Sequence, residues 1–149
     1  MPFFIDTSIL LRLANRADRS YPVADRAITE LHRQKETIHV TSQNLIEFRN
    51  VGTRPIAVNG LGLSIAAVEA LAAHFENLFS FLPESPAIFP AWKALVTSGK
   101  VIGKRVHDAR LVAICQVNQI ANVLTFNIGH FTSLVKLTPG ISVVDPATL

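Results

Sequence analysis

The amino-terminal stretch FFIDTSILLRL, residues 3–13, joins two apolar runs of different spacing through one acid. Three consecutive apolar residues before Asp6 are typical of a short buried strand. After Asp6 the apolar residues recur at helical spacing, at Ile9, Leu10 and Leu13. The stretch therefore predicts a β-strand that runs directly into an α-helix, with Asp6 at the junction.

The same alternation of strand and helix continues along the chain. Further short strands are predicted at residues 38–40, 79–82, 123–126 and 141–144. Helices are predicted to begin near Pro22, at Thr41 or Ser42, at Ser64, at Ser85 and at His107. The glycine- and proline-rich stretch at residues 52–63 predicts a loop. Strands that alternate with helices favour an α/β fold, with a mostly parallel central sheet flanked by helices.

Length and composition limit the kinds of protein that this chain can be. A chain of 149 residues fits one domain, and we expect a single domain over residues 1–149. No apolar run approaches the roughly 18 residues that a membrane-spanning helix needs, and the first residues lack a basic leader. We therefore expect a cytoplasmic protein that does not enter the membrane. The one cysteine, Cys115, rules out an internal disulfide and predicts a buried, inert thiol.

Three acids interrupt apolar contexts: Asp6, Glu47 and Asp108. Asp6 and Asn127 each follow a predicted strand, and ligands of open parallel sheets bind beyond the carboxyl ends of the strands. Each residue also has a simpler interpretation when it is taken alone. Asp6 and Asp108 could cap helices, Glu47 could face solvent, and Asn127 could be a turn residue. The functional hypothesis therefore depends on the set.

Carboxylates held close together disfavour one another's charged forms unless a cation neutralises them. Such oxygen-rich clusters suit Mg²⁺ or Mn²⁺, which can activate a bound water and stabilise the leaving oxygen of a phosphodiester. The histidines show no metal-ligand spacing among themselves, so zinc is not expected. The net charge of +3 alone is weak evidence for nucleic-acid binding.

Four segments, taken in order, resemble the PIN-domain nucleases along nearly the whole chain. They are FFIDTSILLRL at residues 3–13, NLIEFRNVGTRP at 44–55, HDARLVAICQVN at 107–118 and VLTFNIGHF at 123–131. The resemblance implies a Rossmann-like sheet with the acids gathered at one end. It also implies that Asp6, Glu47 and Asp108 are catalytic residues that bind the metal. Asn127 stands where many members carry aspartate, which leaves three formal charges in the catalytic set.

The resemblance implies supporting roles for five more residues. Thr7 and Thr125 match hydroxyl positions near the metal site, on the substrate side. Lys104, Arg105 and Arg110 are candidates for contact with substrate phosphates. For Arg110 an ion pair that holds a carboxylate in place is nearly as good an interpretation. His130 lies where another acid sometimes appears in the family.

The activity implied by the resemblance is metal-dependent hydrolysis of RNA, with Mg²⁺ or Mn²⁺ as cofactor. Within the family, a short chain of this kind resembles the VapC-type toxins of type II toxin–antitoxin systems. That resemblance implies a small antitoxin protein as partner and a homodimer. The apolar helix Ile65 to Leu78 could serve such contacts, although an ordinary core face is the simpler interpretation of its pattern.

Other functions remain open at this point. A catalytically weak or inactive PIN-like module would bind RNA or protein without turnover, and Asn127 is its motivation. A response-regulator receiver domain would require an acidic pair near the first strand, but the residue before Asp6 is Ile5 and not a second acid. A dinucleotide-binding enzyme would want glycines in the turn after the first strand, and the turn here is DTSIL.

Overall fold

A computed structural model describes all residues, 1–149, of the chain. The strands are β1 (Phe3–Ile5), β2 (Ile38–Thr41), β3 (Ser80–Leu82), β4 (Asn122–Leu124) and β5 (Ser142–Val144). The α-helices are α1 (Thr7–Leu13), α2 (Tyr21–Arg33), α3 (Ser42–Thr53), α4 (Ile65–Leu78), α5 (Ile88–Gly99), α6 (Arg105–Val117) and α7 (Ile128–Val135). Two short 3₁₀ helices, Ile56–Val58 and Pro146–Thr148, complete the fold.

The five strands form one sheet in the order β3-β2-β1-β4-β5, and every neighbouring pair is parallel. The α/β fold with a parallel central sheet, predicted from the alternation of strands and helices, is confirmed. Phe3 of the central strand is in register with Ile38 on one side and Asn122 on the other. The strand order reverses between β1 and β4, because β2 and β3 lie on one side of β1 and β4 and β5 lie on the other. Such a switch point is where open α/β sheets bind ligands.

A hydrophobic core covers each face of the sheet, because successive side chains of a strand point to opposite faces. Phe3 and Ile5 pack with apolar residues of α1, α2, α3 and α4. Phe4 and Val123 pack with those of α5, α6 and α7. Cys115 is fully buried in this second core, where burial raises the pKa of its thiol, as its apolar context predicted.

Two predicted boundaries shift for physical reasons. β4 ends at Leu124, because the chain then turns towards α1. The backbone amide of Phe126 donates to Ser8 Oγ of that helix at 3.2 Å. Helix α6 begins at Arg105, two residues before the predicted start, so Lys104 is its N-cap and Arg105 lies in its first turn. Thr125 and Phe126, which were predicted in the strand, follow it instead.

The loop after α3 folds back on the end of that helix. The amides of Leu61 and Gly62 donate to the carbonyls of Val51 and Arg54, both at 2.9 Å. A Cβ added to Gly60 would lie 1.9 Å from the Arg54 carbonyl oxygen, so only glycine fits this close approach. The loop therefore fixes the carboxyl end of α3, which borders the site described below. None of the helices combines the length and apolar character that crossing a membrane requires.

Candidate active site

A cleft of about 700 Å³ opens at the carboxyl ends of β1 and β4, where α1, α3, α6 and α7 converge. Asp6, Glu47, Asp108 and Asn127 all line it. The fold thus brings together the four residues that the sequence singled out, although they lie on four different segments. Their hydrogen-bond partners differ.

Asp6 lies between β1 and α1 and is 4 % exposed. Its side chain makes no capping bond to α1, so helix capping does not account for it. Instead, Oδ2 accepts a hydrogen bond of 2.8 Å from the hydroxyl of Thr125. The backbone amide of Asp6 donates to the Leu124 carbonyl at 3.0 Å. The carboxylate is therefore held from the β4 side and keeps its other oxygen available to the cleft.

Glu47 is half-buried and does not extend into solvent. The hydroxyl of Thr7 donates to its Oε2 at 2.6 Å, and the amide of Gln43 donates to its Oε1 at 2.8 Å. Both carboxylate oxygens therefore have a protein donor. This arrangement fixes the orientation of Glu47 at the cleft wall.

Asp108 lies in the first turn of α6, and its carboxylate has no hydrogen-bond partner in the protein. Nδ1 of His130 lies 3.7 Å from its Oδ2. Its pKa is raised to about 6, first by burial and then by the negative charges of Asp6 and Glu47, against the opposing influence of His130 and Arg105. The three acids are therefore close enough to repel one another electrostatically.

The donor set fits a hydrated divalent ion better than a fully protein-ligated one. No three carboxylate, imidazole or thiol side chains of the chain converge closely enough to enclose a metal by themselves. Asp6 and Asp108 nevertheless keep oxygens without protein donors in the same cleft. Mg²⁺ is commonly held by one or two carboxylates while it keeps several waters. The residues present suit that mode of binding.

Asn127 and the two threonines have distinct positions. The Asn127 side chain makes no capping bond to α7 and lines the cleft. The backbone amide of Asn127 donates to Thr125 Oγ1 at 2.9 Å. Thr125 is fully buried, so its hydroxyl faces the Asp6 carboxylate and not the open cleft. Thr7 lines the cleft, but its hydroxyl is bound to Glu47. Both threonines thus contact the acids.

The predicted basic residues divide into two groups. Lys104 and Arg105 line the cleft, and Arg105 also donates to the His130 carbonyl at 2.9 Å and to the Ser133 hydroxyl. Arg110 does not line it. Its guanidinium forms an ion pair with Glu84 at 2.7 Å and donates to Gln43, which is the alternative that its sequence position left open.

Sequence reasoning missed two cations of the cleft, Arg12 and Arg54. Arg12 stacks over the Phe126 ring at 5.7 Å and lies 3.7 Å from Asp18. Arg54 has no ion-pair partner. A signal was present, because Arg54 follows Glu47 by seven residues, or two helical turns, which places it on the same side of α3.

Sequence reasoning also missed Gln43, which lies four residues before Glu47 on α3. Its amide donates at 2.8 Å both to Glu47 and to the His107 carbonyl on α6, while its oxygen accepts from Arg110 at 3.1 Å. Gln43 therefore ties the helix of Glu47 to the helix of Asp108. The spacing of four residues on a helix could have indicated the contact with Glu47.

Comparison with solved structures shows chains of the same fold. The VapBC2 structure from Rickettsia felis, bound to a DNA fragment from its promoter, aligns with a TM-score of 0.69 at 15% identity, over 97% of this chain and 98% of the other. FitAcB from Neisseria gonorrhoeae aligns with a TM-score of 0.65 at 17% identity, over 99% of each chain. Mycobacterium tuberculosis VapC20, a Sarcin-Ricin loop cleaving toxin, aligns with a TM-score of 0.60 at 21% identity, over 81% of this chain and 86% of the other.

A search of curated protein sequences gave no match. The model of the PIN domain family, in contrast, matches residues 3–135, which span β1 to α7 and include all four predicted catalytic residues. The chain belongs to the PIN domain family.

Proposed function

We propose that the protein is a metal-dependent endoribonuclease and the toxin of a type II toxin–antitoxin pair. The observation that carries the nuclease proposal is the distribution of charge in the cleft. Three acids lie at its centre, and four cations line it: Arg12, Arg54, Lys104 and Arg105. A divalent ion bound by the acids and a phosphate backbone bound by the cations would satisfy both sets of charges.

The acids have different roles in this proposal. Asp6 and Asp108, whose free oxygens face the cleft, would hold Mg²⁺ or Mn²⁺, and Glu47 would bind it or orient its water. When bound, such an ion lowers the pKa of a coordinated water and stabilises the leaving oxygen of a phosphodiester. Asn127 would donate to a substrate oxygen or accept from a water. Thr7 and Gln43 hold Glu47 in position, and Thr125 does the same for Asp6.

The toxin proposal draws on the relatives and on one surface of the cleft. Solved structures that share the fold include VapBC2, FitAcB and a toxin–antitoxin complex from Klebsiella pneumoniae. In this chain Leu11, Ile46 and Val51 form an apolar wall of the cleft, and Ile46 is 66 % exposed. An exposed apolar wall beside an acidic centre suits a small antitoxin that covers the site. We further propose that the protein forms a homodimer.

The nuclease proposal is tested by cleavage of a mixed RNA substrate with Mn²⁺, with Mg²⁺ and with EDTA. The natural protein is compared with Asp6→Asn, which keeps the shape of the side chain and removes its charge. We expect cleavage only with metal and only by the natural protein. Equal cleavage in EDTA, or by the Asp6→Asn variant, would exclude this site as the metal-dependent centre.

A second candidate function is a PIN-like module that binds RNA or protein without turnover. Asn127 favours this alternative, because its side chain is a neutral amide and the cleft therefore lacks a fourth carboxylate. In that case the mixed RNA would bind to the natural protein and stay intact with every metal. Growth of cells that express the protein separates the toxin proposal: arrest by the natural protein and none by Asp6→Asn supports it, whereas equal growth contradicts it.

A further inference from the structure

A second concave surface lies directly beside the acidic cleft, on the other side of the first turn of α6. It has a volume of about 270 Å³ and is lined by Phe89, Trp92, Val106, His107 and Arg110, which we call the aromatic patch. Phe89 is 64 % exposed, so much of its ring is open to solvent. His107 lines both the patch and the cleft, so the two surfaces share a border at this residue.

The two rings of the patch are ordered by the protein. The Phe89 and Trp92 ring centroids are 5.6 Å apart with an interplanar angle of 32°. The indole of Trp92 donates to the Val106 carbonyl at 2.7 Å, which ties α5 to the start of α6. The indole is thereby fixed in orientation, while the exposed Phe89 ring leaves an aromatic face open to a ligand.

The position of the patch relates it to the proposed chemistry. Val106 lines the patch and Asp108 lines the cleft, and His107 between them on α6 lines both. A strand that passes over His107 would therefore contact both surfaces. The guanidinium of Arg110 also borders the rings, where it is paired with Glu84.

We infer that the aromatic patch is a subsite for an unpaired nucleobase next to the scissile phosphate; this inference rests on the proposed function. Proteins recognise single-stranded RNA by stacking splayed bases on aromatic side chains or on arginine. The small volume suits one planar ring system, and Lys104 and Arg105 of the adjoining cleft suit the neighbouring phosphate. A single-stranded segment of the substrate is thus the ligand that matches both the rings and the charges.

The chain provides its own reporter for this subsite, because Trp92 is its one tryptophan. We suggest titrating the Asp6→Asn variant, which we expect not to cleave, with a single-stranded RNA oligonucleotide while recording tryptophan fluorescence. An abasic strand of equal length carries the same phosphates without bases. We expect saturable quenching by the RNA and little change with the abasic strand. Equal quenching by both strands would overturn the inference.

Variants of Phe89 test the stacking directly. Phe89→Ala should weaken binding of the oligonucleotide about tenfold, and Phe89→Tyr, which keeps the ring, should restore it. Phe81→Ala is the matched control, since Phe81 is 47 % exposed on β3 and lines neither surface. Unchanged RNA affinity in Phe89→Ala would overturn the inference. So would a Phe89→Ala protein that loses self-association in sedimentation while it binds RNA normally, because the patch would then bind a second copy.

The two proposals fail in different ways. If the natural protein cleaves RNA and Phe89→Ala binds and cleaves equally well, the subsite is wrong and the nuclease stands. If no RNA is cleaved, but base-dependent quenching occurs and is lost in Phe89→Ala, the nuclease proposal is wrong and the subsite stands.

Discussion

The hydroxyl of Thr125 donates a hydrogen bond of 2.8 Å to Asp6 Oδ2, and both residues are buried. Thr125 follows β4 and Asp6 follows β1, so one bond spans the switch point of the sheet. The same hydroxyl accepts a hydrogen bond of 2.9 Å from the backbone amide of Asn127. A single buried side chain thus positions one proposed metal ligand and the backbone of another site residue.

We predict that Thr125→Val lowers both stability and cleavage. The substitution keeps the shape but leaves the buried Asp6 carboxylate and the part-buried backbone amide of Asn127 without this partner, at a cost of about 1–3 kcal/mol. Urea denaturation measures the loss, and Thr125→Ser, which keeps the hydroxyl, is the control. A Thr125→Val protein with unchanged stability and cleavage would mean that the bond to Asp6 is dispensable.

We predict that Gln43→Ala lowers the rate of cleavage about fivefold, with a smaller effect on the affinity for RNA. Gln43 holds one oxygen of Glu47 and the His107 carbonyl, and loss of one hydrogen bond of about 1 kcal/mol corresponds to several-fold in rate. Gln34 is a matched control, because its amide also donates to a glutamate, Glu30, on the protein surface. Equal effects of Gln43→Ala and Gln34→Ala on kcat would contradict the positioning role.

We predict that Asp108→Asn abolishes metal-dependent cleavage and stabilises the metal-free protein at neutral pH. The pKa of Asp108 is raised from 3.8 to about 6, so the folded protein binds its proton more tightly than the unfolded chain. The folded protein therefore disfavours the charged form of Asp108. The resulting loss of stability is absent below about pH 4, develops between about pH 4 and pH 6, and is complete above that range. Because the side chain is partly exposed, we expect a gain of about 1 kcal/mol above pH 7.

Thermal denaturation in EDTA between pH 4 and pH 8 checks this prediction. The unfolding free energy of the natural protein should fall relative to that of Asp108→Asn as pH rises, and the two should converge near pH 4. A constant difference across the range would show that Asp108 is not destabilised by its neighbours.

We predict that Asn127→Asp tightens Mg²⁺ or Mn²⁺ binding, since it adds a fourth negative charge to the cleft. Calorimetry of the metal titration measures the change in Kd. Asp145→Asn is the control, because it removes a negative charge outside the cleft, at a carboxylate that caps the last 3₁₀ helix. It should leave the Kd unchanged. The same Kd in Asn127→Asp and in the natural protein would place the Asn127 side chain outside the metal's surroundings.

We predict that Arg54→Ala weakens RNA binding and reduces its dependence on salt. For single strands, loss of one phosphate contact should lower the slope of log K against log salt by about 0.7. Lys136→Ala, an exposed cation at the end of α7 that lines no part of the cleft, should leave the slope unchanged. An unaltered slope in Arg54→Ala would remove Arg54 from the phosphate path.

The strands, helices α1 to α6 and the acids could be predicted from sequence because each has a local signal, whereas helix α7 was missed. Phe3–Ile5 before Asp6 has the pattern of a buried strand, and Asp108 interrupts an apolar helix. The partners of those acids have no local signal. The bond from Thr125 to Asp6 joins residues that are 119 positions apart, and the bond from Gln43 to the His107 carbonyl joins residues that are 64 apart. Such contacts depend on packing, which composition and periodicity do not specify.

The central claim is that Asp6 and Asp108 bind a divalent ion in this cleft. Anomalous diffraction from a crystal grown with Mn²⁺ tests it most directly, because manganese scatters anomalously and its position is then measured. We predict one strong peak within about 2.2 Å of carboxylate oxygens of Asp6 and Asp108, and none there in an Asp6→Asn crystal. A peak elsewhere on the protein, or an equal peak in the variant, would contradict the account.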